Sequence, residues 1–248
     1  LNNTGMSMKR LLGMGLLSAA IALICSFGFS APSYARAVVA TPQSPALEIQ
    51  STQVQYLSDL DLLVFEQQVS GPVGSALPDP AGQLDGAPVL GYVFPTTLSS
   101  KEVDFGEVEG IVALAATSHP DFDDTPLWDE DNDADWVVLT GDERVPGGLS
   151  VAEFSPDDDA IVMPPTNPGM SMYLDSPGFS VVSEQNTLRI LVPAQRVNHN
   201  TNFNFDAVTA YMEVNTSDQT RPLLGVYEVY SVGSEDLSLP YGVESRSE

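Results

Sequence analysis

Apolar residues in this chain come in short runs, each stopped by Gly, Pro, Asn or Asp, and no stretch beyond residue 37 holds a helical period. That punctuation constrains the fold more than any other feature. Runs rich in Val, Tyr, Phe and Leu between turn-forming residues predict strands, and many of them predict an antiparallel all-β protein. The candidate strands are residues 47–56, 60–69, 88–96, 108–117, 136–139, 149–154, 170–174, 179–182, 187–192, 206–214 and 223–232, with Glu184-Gln185-Asn186 as a turn. Residues 108–117 are small and apolar, as in a fully buried central strand. The set predicts a single domain over residues 47–233, an antiparallel two-sheet β-sandwich of jelly-roll or immunoglobulin-like type.

The N-terminal segment reads as an export signal. Lys9 and Arg10 precede an uncharged block over residues 11–29, and Ser33-Tyr34-Ala35 and Ala35-Arg36-Ala37 both suit signal peptidase. Residues 1–37 are therefore expected to be a signal peptide with a few upstream residues. Residues 38–46 would be a linker and 234–248 a polar, frayed tail. The expected destination is the periplasm or the medium. The one cysteine, Cys25, lies inside the apolar block behind Ile24, which does not suit a lipid anchor. A chain cleaved at residue 35 or 37 has no thiol for a disulfide, a zinc–thiolate site or a nucleophile. The 34 acidic residues against 9 basic ones give a net charge of −25, and all the acids lie at or beyond Glu48. Such a surface repels nucleic acid and anionic lipid, so neither nucleic acid nor, after cleavage, membrane is an expected partner.

Two stretches carry resemblances. Leu188-Arg189-Ile190-Leu191-Val192-Pro193-Ala194-Gln195-Arg196-Val197, followed by Phe203-Asn204-Phe205-Asp206-Ala207-Val208, resembles the late strands of DOMON-like carbohydrate-binding sandwiches. This implies a sandwich fold and brings no binding residues with it. His119-Pro120-Asp121-Phe122-Asp123-Asp124-Thr125-Pro126-Leu127-Trp128-Asp129-Glu130 is similar to a run in uncharacterised exported bacterial proteins, which implies export and no particular activity.

The densest chemistry lies in the same region. Carboxylates occupy Asp121, Asp123, Asp124, Asp129, Glu130, Asp131, Asp133 and Asp135. If 129–135 were extended, alternate side chains would share a face at ~6.6 Å and repel by about 2.5 kcal/mol per adjacent pair. Solvent and salt relieve that repulsion in an exposed loop. A hard cation relieves it better, so Asp129, Asp131, Asp133 and Asp135 are candidate Ca²⁺ ligands, completed by Asp121, Asp123 or Asp124. The run is not an EF-hand, since Ala134 replaces the loop glycine and Thr140 the bidentate glutamate. Trp128 and Trp136 bracket the acidic run. Their rings either stack on a sugar or pin the loop ends into the core.

His119 and His199 stand in no zinc-protease spacing, and no G-x-S-x-G, Walker A or dinucleotide-binding glycine pattern occurs. The leading expectation is a secreted, non-enzymatic Ca²⁺-binding module that binds a glycan or surface polymer. The alternatives are a glycan-active enzyme using buried carboxylates and an acidic structural or envelope protein.

Overall fold

The computed structural model describes residues 45–76, 79–119, 134–157 and 161–246. Fourteen strands are present among them: β1 Ile49–Leu57, β2 Leu62–Val69, β3 Pro88–Pro95, β4 Ile111–Ser118, β5 Ala134–Gly141, β6 Leu149–Val151 and β7 Leu174–Asp175, then β8 Ser180–Glu184, β9 Thr187–Pro193, β10 Asn204–Phe205, β11 Val208–Val214, β12 Leu224–Val232, β13 Tyr241–Gly242 and β14 Glu244–Arg246. No helix among the described residues is long and apolar enough to cross a membrane.

The all-β expectation holds, but the two-sheet sandwich does not. The larger sheet runs β4-β3-β11-β12-β6-β5-β7, and β4 also pairs with β5. Leu114 faces Trp136 and Ala115 faces Asp135 across that extra pairing. Six strands therefore close into a barrel, and β7 extends it beside β5. Closure removes the free edges that β4 and β5 would carry in an open sheet. Curvature has a visible source in β12. Its pairing with β11 skips Tyr230 and Tyr227, giving two irregularities of the β-bulge kind, and a bulge bends a strand and increases its twist.

A five-stranded sheet, β14-β1-β2-β9-β8, covers one side of the barrel. The wall strands beneath it are consequently buried on both faces, and all eight residues of β3 are buried. One phase, including Val89, Val93, Ala113, Ala115, Val137 and Ala210, forms a cluster inside the barrel. The other phase, including Leu90, Tyr92, Phe94, Leu114 and Trp136, packs with Val54, Leu63, Phe65, Leu188 and Ile190 of the covering sheet. Phe65 centres this layer. It meets Phe94 edge-on at 5.3 Å and Trp136 edge-on at 6.2 Å, and stacks on Phe203 at 6.1 Å. Such pairs contribute about 0.5–1.5 kcal/mol each beyond burial. Buried Gln67 of β2 donates through Nε2 to the Val93 carbonyl at 2.9 Å, a polar tie between the two layers.

The segment after Ser234, expected to fray, is paired as far as Arg246. Phe205 of β10 faces Tyr241 of β13, and β14 lies parallel to β1 from Gln55↔Glu244 to Leu57↔Arg246.

Candidate functional site

The barrel interior is not filled by its own side chains. The inward phase carries small residues near the middle of the wall, with Ala113 and Ala115 on β4, Ala210 on β11 and Gly91 on β3. A Cβ at Gly91 would lie 2.8 Å from Met212 Cε, so the flexible end of that side chain would have to shift. Ala115 and Ala210 leave volume that larger residues would take. The result is a cavity of about 250 Å³, lined by strands β3, β4, β5, β6, β11 and β12, by residues 168–176 and by Leu237 and Leu239.

The cavity is chemically one-sided. Among the described residues its polar lining consists of Thr117, His119, Asp135 and Ser176; the rest are Val, Leu, Ile, Ala, Met and Pro. Register explains why the four meet. Asp135 opens β5 opposite Ala115, Thr117 is two residues further along β4, and His119 follows that strand's end. Trp136 pairs with Asp175, which brings Ser176 to the same end. Asp135 is buried and accepts a 2.5 Å hydrogen bond from Ser176 Oγ.

The opposite end is apolar and is reached by the loop 233–239. Buried Asp206 holds this loop. It accepts from the Ser234 N–H at 3.0 Å, from the Ser234 hydroxyl and from the Leu239 N–H at 3.4 Å. Glu235, Leu237 and Leu239 all take left-handed backbone conformations, at φ 71°, 57° and 53°. Those conformations cost of order 1–3 kcal/mol each and persist only where the surroundings enforce them. Here they accompany the turning of two leucines into the barrel mouth.

Of the sequence-derived candidates, Asp121, Asp123, Asp124, Trp128, Asp129, Asp131 and Asp133 lie outside the described residues. Asp135 and Trp136 lie on opposite faces of β5. Asp135 lines the cavity, whereas Trp136 is fully buried in the inter-layer core, edge-on to Phe65 and to Phe179 at 6.4 Å. In this position Trp136 has no free face for a sugar ring. Among the described residues, no three His, Cys, Asp or Glu side chains are placed to share a metal ion. A second cleft, of about 390 Å³, lies outside the barrel beside Asp79, Tyr211, Glu228 and Tyr230.

The cavity itself was missed by sequence reasoning. The available signal was the alternation in β4, where Ala113 and Ala115 interleave with Val112 and Leu114, together with the lone Ala210 in β11. That signal becomes informative only once the sheet is known to close. Comparison with protein-family models, with characterised proteins and with solved structures found no match to this chain.

Proposed function

We propose that this chain is a non-enzymatic binding protein that holds one small apolar molecule inside its barrel. The observation that carries the reading is the cavity of about 250 Å³ whose lining, among the described residues, is polar at one end and apolar elsewhere. A wholly apolar cavity of roughly 150 Å³ stays dry and takes up benzene. By proportion this one accepts about ten non-hydrogen atoms. Water gains little there, because most of the wall offers it no hydrogen bond, while an apolar ligand recovers about 25 cal/mol for each Å² it removes from water. Extensive apolar contact with a few convergent polar groups is the usual form of a small-molecule site. A sugar suits it poorly, since hydroxyls all round the ring would go unpaired against Val, Leu and Met. The leader over residues 1–37 puts the protein's work outside the cytoplasm, and the acidic surface keeps it soluble there.

The test is a thermal melt of the full chain with propylbenzene, beside variants Ala210→Leu and Ala115→Leu. At about 100 times Kd the ligand stabilises the fold by roughly 2.7 kcal/mol, or about 5–10 °C for a chain of this size. Each leucine enters the cavity and should reduce the ligand-induced rise by more than half, whatever it does to the starting melting temperature. Absence of a rise in the parent, or equal rises in parent and both variants, contradicts the proposal.

A further inference from the structure

The cleft outside the barrel is made of different groups from the cavity within it. Ala210 and Met212 of β11 pack inside the barrel, so Tyr211 between them faces outward, opposite Glu228 of β12 and Leu90 of β3. The two irregularities of β12 fall at Tyr227 and Tyr230, on either side of that glutamate. A bulge re-aims the side chain it carries. Tyr230 thereby joins Tyr211, Glu228 and Asp79 around a cleft of about 390 Å³, with Ala76, Pro88 and Leu90 among its apolar walls.

The neighbouring bulge shows what such a set of groups holds. The Arg221 guanidinium lies 5.2 Å from the centre of the Tyr227 ring and donates to the Tyr227 hydroxyl at 2.7 Å and to Glu213 at 2.9 Å. Ring, carboxylate and cation are all supplied there by the chain. Around Tyr230 the ring and the carboxylates recur without the cation, since among the described residues no Lys or Arg pairs with Glu228 or Asp79. Burial and the charge of Glu228 both raise the pKa of the Tyr230 hydroxyl, so the phenol stays neutral beside a negative group. We propose that this cleft binds a small organic cation of the quaternary ammonium type, its methyl groups against Tyr211 and Tyr230 and its charge balanced by Glu228 and Asp79. A primary ammonium brings three N–H donors that each want an acceptor, and the side chains of Ala76, Pro88 and Leu90 offer none. A quaternary ammonium brings no donor and is drawn to aromatic faces, contacts that strengthen binding by about two- to thirtyfold. The site is separate from the barrel cavity and does not depend on what enters it.

The experiment titrates choline and dimethylbutanol, its neutral carbon isostere, into the full chain at ~0.15 M NaCl, where long-range attraction to the acidic surface is largely screened. Binding is followed by NMR of carbon-13-labelled tyrosine rings. Choline should saturate a site that shifts Tyr211 and Tyr230, and dimethylbutanol should bind at least about tenfold more weakly. Tyr230→Leu and Glu228→Gln should each weaken choline by at least about fivefold. Two controls should leave it within about twofold: Glu184→Gln, which removes an exposed carboxylate on β8, and Ala210→Leu, which fills the barrel. If Tyr230→Leu does not fold, Glu228→Gln and the pair of probes decide the matter. Equal binding of choline and dimethylbutanol, no saturable shift of Tyr211 and Tyr230, or an equal loss in Glu184→Gln and Glu228→Gln overturns the inference. A loss in Ala210→Leu as large as in Glu228→Gln places choline in the barrel and overturns it too. Propylbenzene binding, tested separately, is untouched by any of these results.

Discussion

Asp135 and Trp136 are adjacent in sequence and face opposite sides of one barrel wall, the carboxylate towards the cavity and the indole into the layer beneath the covering sheet. Their substitutions should therefore separate. Trp136→Phe removes volume between Phe65 and Phe179 and is expected to cost about 1–3 kcal/mol of stability while leaving the propylbenzene Kd within twofold. Asp135→Leu puts bulk into the cavity and should weaken propylbenzene binding instead. Denaturant melts and calorimetry on the two variants check the separation.

A buried ion pair makes a second prediction. Asp175 on β7 is fully buried and accepts from Arg196 Nη2 at 2.9 Å and from the Thr166 hydroxyl. Arg196 follows β9, so the pair ties the covering sheet to the barrel. Burial raises the Asp175 pKa, opposed by the Thr166 hydrogen bond and by the charge of Arg196. Arg196→Met leaves the carboxylate uncompensated and should cost about 3–5 kcal/mol at neutral pH. Native Asp175 takes up a proton more readily than the unfolded chain, so stability falls as pH rises from the ordinary Asp value through the raised one. Losing Arg196 steepens that fall. The deficit of Arg196→Met measured in urea should thus be smaller near pH 4 than at pH 7.

Asp142 behaves in the opposite sense. The hydrogen bonds from the Arg144 guanidinium hold its carboxyl below the usual carboxylate range, against the effect of burial, with help from the Arg144 N–H and the Ser150 hydroxyl. A lowered folded pKa contributes stability that is present above the unfolded value and lost as pH falls through the folded one. Asp142→Asn is expected to be less stable than the parent at pH 7. The two should converge as pH drops below the ordinary Asp range, as followed by melting temperature from pH 7 to pH 2.

Most strand positions were legible in the sequence, because period and punctuation are local. Residues 60–69, 88–96 and 187–192 contain or overlap β2, β3 and β9, and Gln185-Asn186 makes the two-residue turn between Glu184 and Thr187. Pairing was not legible. Closure depends on β4 meeting β5 in a register that puts Ala115 opposite Asp135, and nothing local to either strand states it. A wall strand under a second sheet and the central strand of a sandwich are both buried on two faces, so β3 and β4 read the same either way. The ordered tail was hidden for a related reason. β14 is polar and exposed along its length, and its place is fixed by ladder bonds to β1 rather than by burial. The acidic run drew attention by its charge, whereas the cavity is made by alanines whose significance is the space they leave.

The methionines supply the most direct measurement of the central claim, that a small apolar molecule enters the barrel. Met170, Met172 and Met212 line the cavity, whereas Met163 packs against the inter-layer core. With the methionine methyl groups labelled with carbon-13, propylbenzene can be titrated into the full chain and each methyl resonance followed. The ring's field should shift the Met170, Met172 and Met212 signals in proportion to occupancy and leave Met163 in place. Shifts confined to Met163, or no shift at any of the four under concentrations that saturate an apolar site, would contradict the account.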